Sequence, residues 1–565
     1  MIAGIFVAGT VFLLGGYFIY GRILERRYDV DPSRPTPAVT MSDGVDYVPA
    51  KVPVLFGHHF SSIAGAIPIV GPIIAAAAFG WLPPLLWIVL GAVFVGGVHD
   101  FSALVASIRH RSRSVAEIIG LYLSPTTCRL FLVFIWVALV YVLVVFVDLT
   151  ATTFAPPVDN IADESQRLSA IHSAGTVATA SIVYVLLALA FGFLVNTDRI
   201  SLKAGSFIFV PLVFVALAVA RQLPLSSTSV PALIHGDPKC TWSLILIGYC
   251  FVASIMPVWM LLQPRDYLSS FLLVACILGG GAGLVIVGGS ASSHIPAFSG
   301  LYDAKLGFIF PALFITVACG AVSGFHAIIA SGTTAKQLPK ESAARPIAYG
   351  AMMVEAMLAL VALGAIMVVK TPGATPQATF AAGMGKFLSV FGVSPAAGAS
   401  FALLALSTFL LTTLDTCTRL GRYILEELTG LRGTKTRLAT TLVTLAIPVV
   451  AVLIRVDWRA VYPVFGSANQ LLAVFALLAI LVWRLHAKKS FFFVLWPMIL
   501  MLATTITQLV KLIIAGIAGQ QTALITALAG VLLAIALAIL IDTIRSWGKI
   551  TAAKPVEEEA EVVTV

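Results

Sequence analysis

Charge is scarce in this 565-residue chain: Asp, Glu, Lys and Arg make up 11% of it, against 59% hydrophobic residues. A soluble domain carries about a quarter charged residues, so that class is excluded. The strict apolar–polar alternation of a membrane β-barrel is missing as well. No Walker loop occurs, so ATP-driven pumping is not indicated. HExxH and GxSxG are absent too, and an intramembrane enzyme has no support. Cysteines are few: six, at 128, 240, 250, 276, 319 and 417, without CxxC spacing and mostly inside apolar runs. They read as packing residues, with neither a disulfide framework nor a zinc site. The net charge of +9 is spread between apolar segments rather than gathered in a patch, which argues against a nucleic-acid partner.

What the chain has in quantity is apolar length. Mean hydropathy is +1.01. Fifteen hydrophobic segments can be drawn: 3–20, 56–80, 84–108, 130–150, 171–195, 203–220, 242–262, 268–290, 307–335, 347–369, 398–418, 438–454, 461–483, 491–515 and 522–544. The shorter run 378–392 reads as a loop or surface segment. The first run is followed by RILERR without a small-residue cleavage site, so it reads as a retained helix rather than a signal peptide. With the N-terminus outside and the C-terminus cytoplasmic, most of the 35 basic residues fall in inside loops, Arg265, Arg419 and Arg422 among them. The expected fold is an all-α polytopic membrane protein in the lipid bilayer.

Broken helices organise the rest. Segment two holds VLFGHHFSSIAGAIPIVGP (54–72), with two histidines, two serines, three glycines and two prolines in an apolar context. Unwound backbone at membrane depth is tolerated where it is buried or lines a cavity, and in secondary transporters it holds the substrate. Segment seven is interrupted at Ala253-Ser254-Ile255-Met256-Pro257. Two breaks five segments apart and oppositely directed fit a leucine-transporter-like five-plus-five inverted repeat. The chain then divides into a leading helix and loop (1–50), repeat one (51–230), repeat two (231–430), four trailing helices (431–546) and a disordered acidic tail (547–565).

Several polar residues inside these segments can carry chemistry. His58 and His59 point about 100° apart on a helix and can relay a proton or bind an anion, or else pack as an interfacial pair. Asp100, beside His99 in GGVHDF, is either a proton carrier or a structural partner of Arg109 or Arg111. Ser323, His326, Ser331, Thr333 and Thr334 form a polar ladder in segment nine. The pattern Ala330-x-x-Thr333-Thr334 resembles the sodium-site segment of leucine-transporter-like symporters, although such hydroxyls commonly bond back to their own helix. Asp415 and Arg419 are spaced to pair on one helix face. Asn469 and Gln470 read as interhelical hydrogen-bonding groups.

Taken together, FGHHFSSIAGAIPIVGP, GGVHDF, CGAVSGFHAIIASGTT, TTLDTCTRLGRYILEEL and FGSANQLLA resemble the carbon starvation protein A (CstA) family, over roughly residues 46–484. That resemblance implies a bacterial inner-membrane transporter of peptides, or of pyruvate with protons, grouped with the amino acid–polyamine–organocation superfamily. It carries the family's histidine pair onto His58 and His59, its break onto Gly65, Pro68, Gly71 and Pro72, and its acid onto Asp100. The chain departs at Ile67, where other members often have Gly, and at His99, where some have Gln.

The expected function is secondary active uptake of small carboxylated nutrients, pyruvate or short peptides, by proton or sodium symport. Substrate contacts are expected at His58, His59, Ser61, Ser62, Gly65, Ser254 and Met256, with half-helix N-termini offering N–H groups to a carboxylate. Ion coupling is expected at His99, Asp100, Ser323, His326, Ala330, Thr333 and Thr334, the last three serving if the ion is sodium. No cofactor beyond H+ or Na+ is expected, and no motif encodes an oligomeric state. A nutrient sensor binding the same ligands without transport is the second reading.

Overall fold

The computed structural model describes all residues except 45–46, 157, 159–162, 226–231, 233–235, 374, 432, 457 and 553–565, together with the side chains of 166, 458–461 and 549–552. Helix dominates because apolar backbone in a bilayer must satisfy its own hydrogen bonds. Thirteen helices among the described residues are long and apolar enough to cross a membrane, and the bent pair Val52–Ile63 and Ile67–Phe79 makes a fourteenth. The chain is a multi-pass membrane protein.

Burial sorts these helices into a centre and a rim. Within the hydrophobic window of Tyr462–His486 every residue is buried, while Ile2–Arg27, Leu202–Ala220, Thr434–Leu453 and Ala523–Gly548 are only 28% buried. Rim helices turn their apolar residues to lipid, as Phe207 and Ile544 do. One segment expected to trail behind the core is thus its most enclosed member. The run 378–392 is corrected as well. It is the helix Pro376–Ser389, started by the Thr375 side chain accepting from the Ala378 N–H, and Phe380, Met384 and Phe387 are buried. It is too short to span but amphipathic enough to pack.

Two segments are broken. The first bends by 42° between Ile63 and Ile67. Ala64 leaves the helical region, the Gly65 N–H turns back to the Ile63 carbonyl at 2.8 Å, and Pro68 opens the next helix, where a missing N–H costs nothing. Of the four residues expected to make this break, only Gly65 lies in it. Gly71 lies inside Ile67–Phe79, where a Cβ would stand 2.3 Å from the Thr316 carbonyl oxygen, so glycine there permits close approach of the second broken segment.

That second segment is Ile309–Thr316, a non-helical bridge at 317–323, then Gly324–Ile329 and a π turn Ala330–Thr334. It packs antiparallel to the first: Val52–Ile63 meets Gly324–Ile329, and Ile67–Phe79 meets Ile309–Thr316. The interruption expected at 253–257 is instead the end of the helix Pro238–Ile255, with a full helix, Leu262–Ser290, following. The partner of the first break is therefore in segment nine. Outside the helices, Tyr302–Asp303 and Gly307–Phe308 form a two-residue antiparallel ladder.

Candidate functional site

Residues 57–73 are buried throughout, so the first break faces protein, not lipid. Its two histidines turn to different partners. His58 Nδ1 lies 2.8 Å from Asp266 Oδ2, and His59 Nδ1 lies 2.8 Å from Thr334 Oγ1 on the second broken segment. Neither Nε2 has a hydrogen-bond partner in the protein. Ser61 donates to the Asp266 carbonyl at 2.9 Å and accepts from Ser269 at 2.8 Å. Ser62 is buried with its hydroxyl unpartnered.

Behind His58 stands a charge network. Arg265 donates to Asp266 through Nη2 at 2.5 Å and to the Tyr249 hydroxyl through Nη1 at 2.8 Å, and it pairs with Asp415. Tyr249 donates to Asp415 at 3.0 Å, and Tyr184 donates to the Arg265 carbonyl. Arg265, Asp266 and Asp415 are all fully buried. One guanidinium between two carboxylates keeps the desolvated charges paired, the condition under which such a group persists in a low-dielectric site. Arg265 is thus a structural cation and not a loop residue.

A cavity of about 220 Å³ reaches His58, lined also by Thr333, Gln263, Gln337, Lys336 and Arg419. Lys336 Nζ lies 5.5 Å from the Tyr423 ring centre and 5.6 Å from that of Tyr47. Arg419 Nη2 donates to the carbonyls of Ala253 and Met256 at 2.8 and 2.7 Å, and Arg422 donates to that of Ser254 at 3.1 Å. These contacts overturn three expectations. Asp415 and Arg419 do not pair with each other. Arg419 and Arg422 are buried caps, not loop markers. Ser254 and Met256 lie at the carbonyl end of a helix, already covered by guanidinium groups, so they offer no N–H groups to a carboxylate.

A second cluster lies at the second break. Asp100 Oδ1 is 2.7 Å from His99 Nδ1, and Asp100 Oδ2 is 2.8 Å from His326 Nδ1. The His326 Nε2 faces Glu355 Oε2 at 3.4 Å. Asp100 does not pair with Arg109, which binds Glu341 at 2.6 Å. Asn469 accepts from Ser323 Oγ at 3.2 Å and from the Phe325 N–H at 3.0 Å. Gln470 donates to the carbonyls of Phe314 and Val322, each at 3.2 Å, and Trp87 donates to that of Val317 at 3.1 Å. The backbone freed by the break is thus satisfied by side chains of Tyr462–His486 and Leu82–Arg109.

The groups expected to hold sodium are engaged elsewhere. Thr333 Oγ1 bonds back to the Ile329 carbonyl at 3.0 Å, Thr334 serves His59, and the Ala330 carbonyl accepts from the Ala335 N–H at 2.9 Å. Ser331 also bonds back, to Ala327.

The family model for the carbon starvation protein CstA matches residues 2–374 and 368–508. The chain belongs to the CstA family. Among its relatives, a peptide transporter CstA of Escherichia coli K12 is 33% identical over 589 residues, covering 89% of this chain and 80% of that protein. The pyruvate/proton symporter BtsT of the same organism is 36% identical over 386 residues, covering 65% of this chain and 49% of BtsT. A peptide transporter CstA of Mycobacterium tuberculosis CDC 1551 is 33% identical, covering 84% and 70%. A solved Eremococcus coleocola manganese transporter aligns over 90% of this chain and 99% of its own, with 14% identity and a TM-score of 0.46.

Four residues of this CstA-family site escape a reading by motif: Arg265, Asp266, Tyr249 and Glu355. Three carried a usable signal. Glu355 is the lone acid of a long apolar run, and Arg265-Asp266 opens another. An ionisable residue in such a place marks a functional site by default.

Proposed function

We propose that this protein is a proton-coupled importer of small carboxylated nutrients, pyruvate or short peptides, in the bacterial cytoplasmic membrane, with its N-terminus outside. The carrying observation is the cavity that His58 lines, with its Nδ1 held by buried Asp266 while Nε2 is left without a partner. With Nδ1 held by Asp266, the ring has its Nε2 free to take a proton, and Asp266 would stabilise the resulting imidazolium. Lys336 and Arg419 offer the cations that a carboxylate needs. The relatives named as peptide transporters and as a pyruvate/proton symporter support the same substrate class and ion.

Transport then follows from the breaks. A carboxylate entering the cavity meets Lys336, Arg419 and a protonated His58 in its lining. Rocking of the two antiparallel broken segments against the enclosing helices closes this side and opens the other. Uptake of labelled pyruvate and labelled dialanine into proteoliposomes tests the reading. Accumulation of at least one of them under an inward proton gradient, and not under a sodium gradient alone, is expected. Binding of both without accumulation under either gradient would instead favour a sensor.

A further inference from the structure

The cluster at the second break contains a set of donors that proton coupling at His58 does not use. Cys319 Sγ, the free His326 nitrogen and a Glu355 oxygen lie within 4.8 Å of one another, and all three residues are buried. Both Glu355 oxygens lack a hydrogen-bond partner, as does His326 Nε2. A carboxylate left in that condition is costly. The separation of His326 Nε2 and Glu355 Oε2, 3.4 Å, is long for a charge-assisted hydrogen bond. It matches two ligands on one tetrahedral ion: with bonds of about 2.1 Å, their atoms stand roughly 3.4 Å apart.

The surroundings are arranged for a metal ligand. Asp100 holds His326 Nδ1, which leaves the Nε2 lone pair directed at Glu355 and Cys319. This carboxylate–histidine arrangement fixes the tautomer and orientation of metal-bound imidazoles. Asn469 acts likewise on the sulfur. Its oxygen must face the Phe325 N–H, so its Nδ2 faces Cys319 Sγ, at 4.0 Å, where an N–H group stabilises a thiolate.

We propose that Cys319, His326 and Glu355 bind one divalent transition-metal ion of the zinc class, which ties the second break to the helix Gly350–Val368. Sulfur and nitrogen donors select such an ion over Mg2+ or Ca2+. Thiolate, carboxylate and a dication sum to zero charge, which suits a dry site. Three protein ligands leave a fourth position for water. The ligands come from non-contiguous stretches, which is why no CxxC-type spacing announces them.

Cobalt titration of the purified, chelator-stripped full-length protein tests this. Co2+ is expected to bind at about one equivalent with a thiolate-to-cobalt band in the near ultraviolet, and Zn2+ is expected to displace it. Cys319→Ser should lose that band, while Cys417→Ser, which changes a buried cysteine outside the cluster, should keep it. Absence of the band in the wild-type protein overturns the proposal without any variant. Its survival in Cys319→Ser overturns it equally.

Discussion

The two buried histidine–carboxylate clusters are built from the same parts and differ in what they face. His58, held by Asp266, lines a cavity that Lys336 and Arg419 also line. Asp100, His326 and Glu355 are fully buried, and the cavity lining does not include them. Around the first cluster the second carboxylate, Asp415, is neutralised by Arg265. Around the other cluster the second carboxylate, Glu355, has no cation within salt-bridge reach among the described residues except the His326 ring. Burial alone therefore does not assign a role to such a pair. A place beside a cavity suits a histidine that must gain and lose protons, whereas a place away from it suits one that holds a fixed partner.

Substitutions can break or sharpen this contrast. The largest effect is expected for Arg265→Met, which strands Asp266 and Asp415 in the interior. Losing the central member of a buried ion triad costs about 3–5 kcal/mol. Thermal unfolding in detergent should show a large fall in stability, and an unchanged midpoint would mean that the first cluster does not need its cation. A middle effect is expected for Asn469→Leu, which leaves the Phe325 N–H and Ser323 without their acceptor, at about 1–3 kcal/mol per buried unsatisfied group. Its melting point should fall, while the substrate concentration for half-maximal uptake should hold, because Asn469 does not line the cavity. The smallest effect is expected for Lys336→Met. It should raise that half-maximal concentration about tenfold, equivalent to about 1.4 kcal/mol, with stability unchanged. An equal loss for substrates with and without a carboxylate would remove Lys336 from the anion site.

How much of this was legible in the residues depends on where each partner lies in the chain. The first break is local: Gly65 lies in it and Pro68 opens the helix after it, and both stand in the same stretch as the histidines. The second break went unread because its supports are distant. Asn469, Gln470 and Trp87 lie far from residues 317–323 in sequence and satisfy them only after folding. Spacing misled where tertiary partners outcompeted a neighbour. Asp415 and Arg419 are correctly placed to pair on a helix, yet a buried guanidinium and a set of orphan carbonyls, respectively, claimed them. Hydropathy placed Tyr462–His486 among the trailing segments because it measures apolarity and not order of packing, and this helix is the enclosed one.

Proton flux driven by substrate separates the clusters. Purified protein is reconstituted into liposomes holding a pH-sensitive dye, and pyruvate or dialanine is added outside without an imposed proton gradient. The lumen should acidify with the wild-type protein and with Glu355→Gln, and should not with His58→Ala, in preparations matched for folded protein. Acidification that persists in His58→Ala, or vanishes only in Glu355→Gln, would contradict the assignment of the coupling proton to the first break.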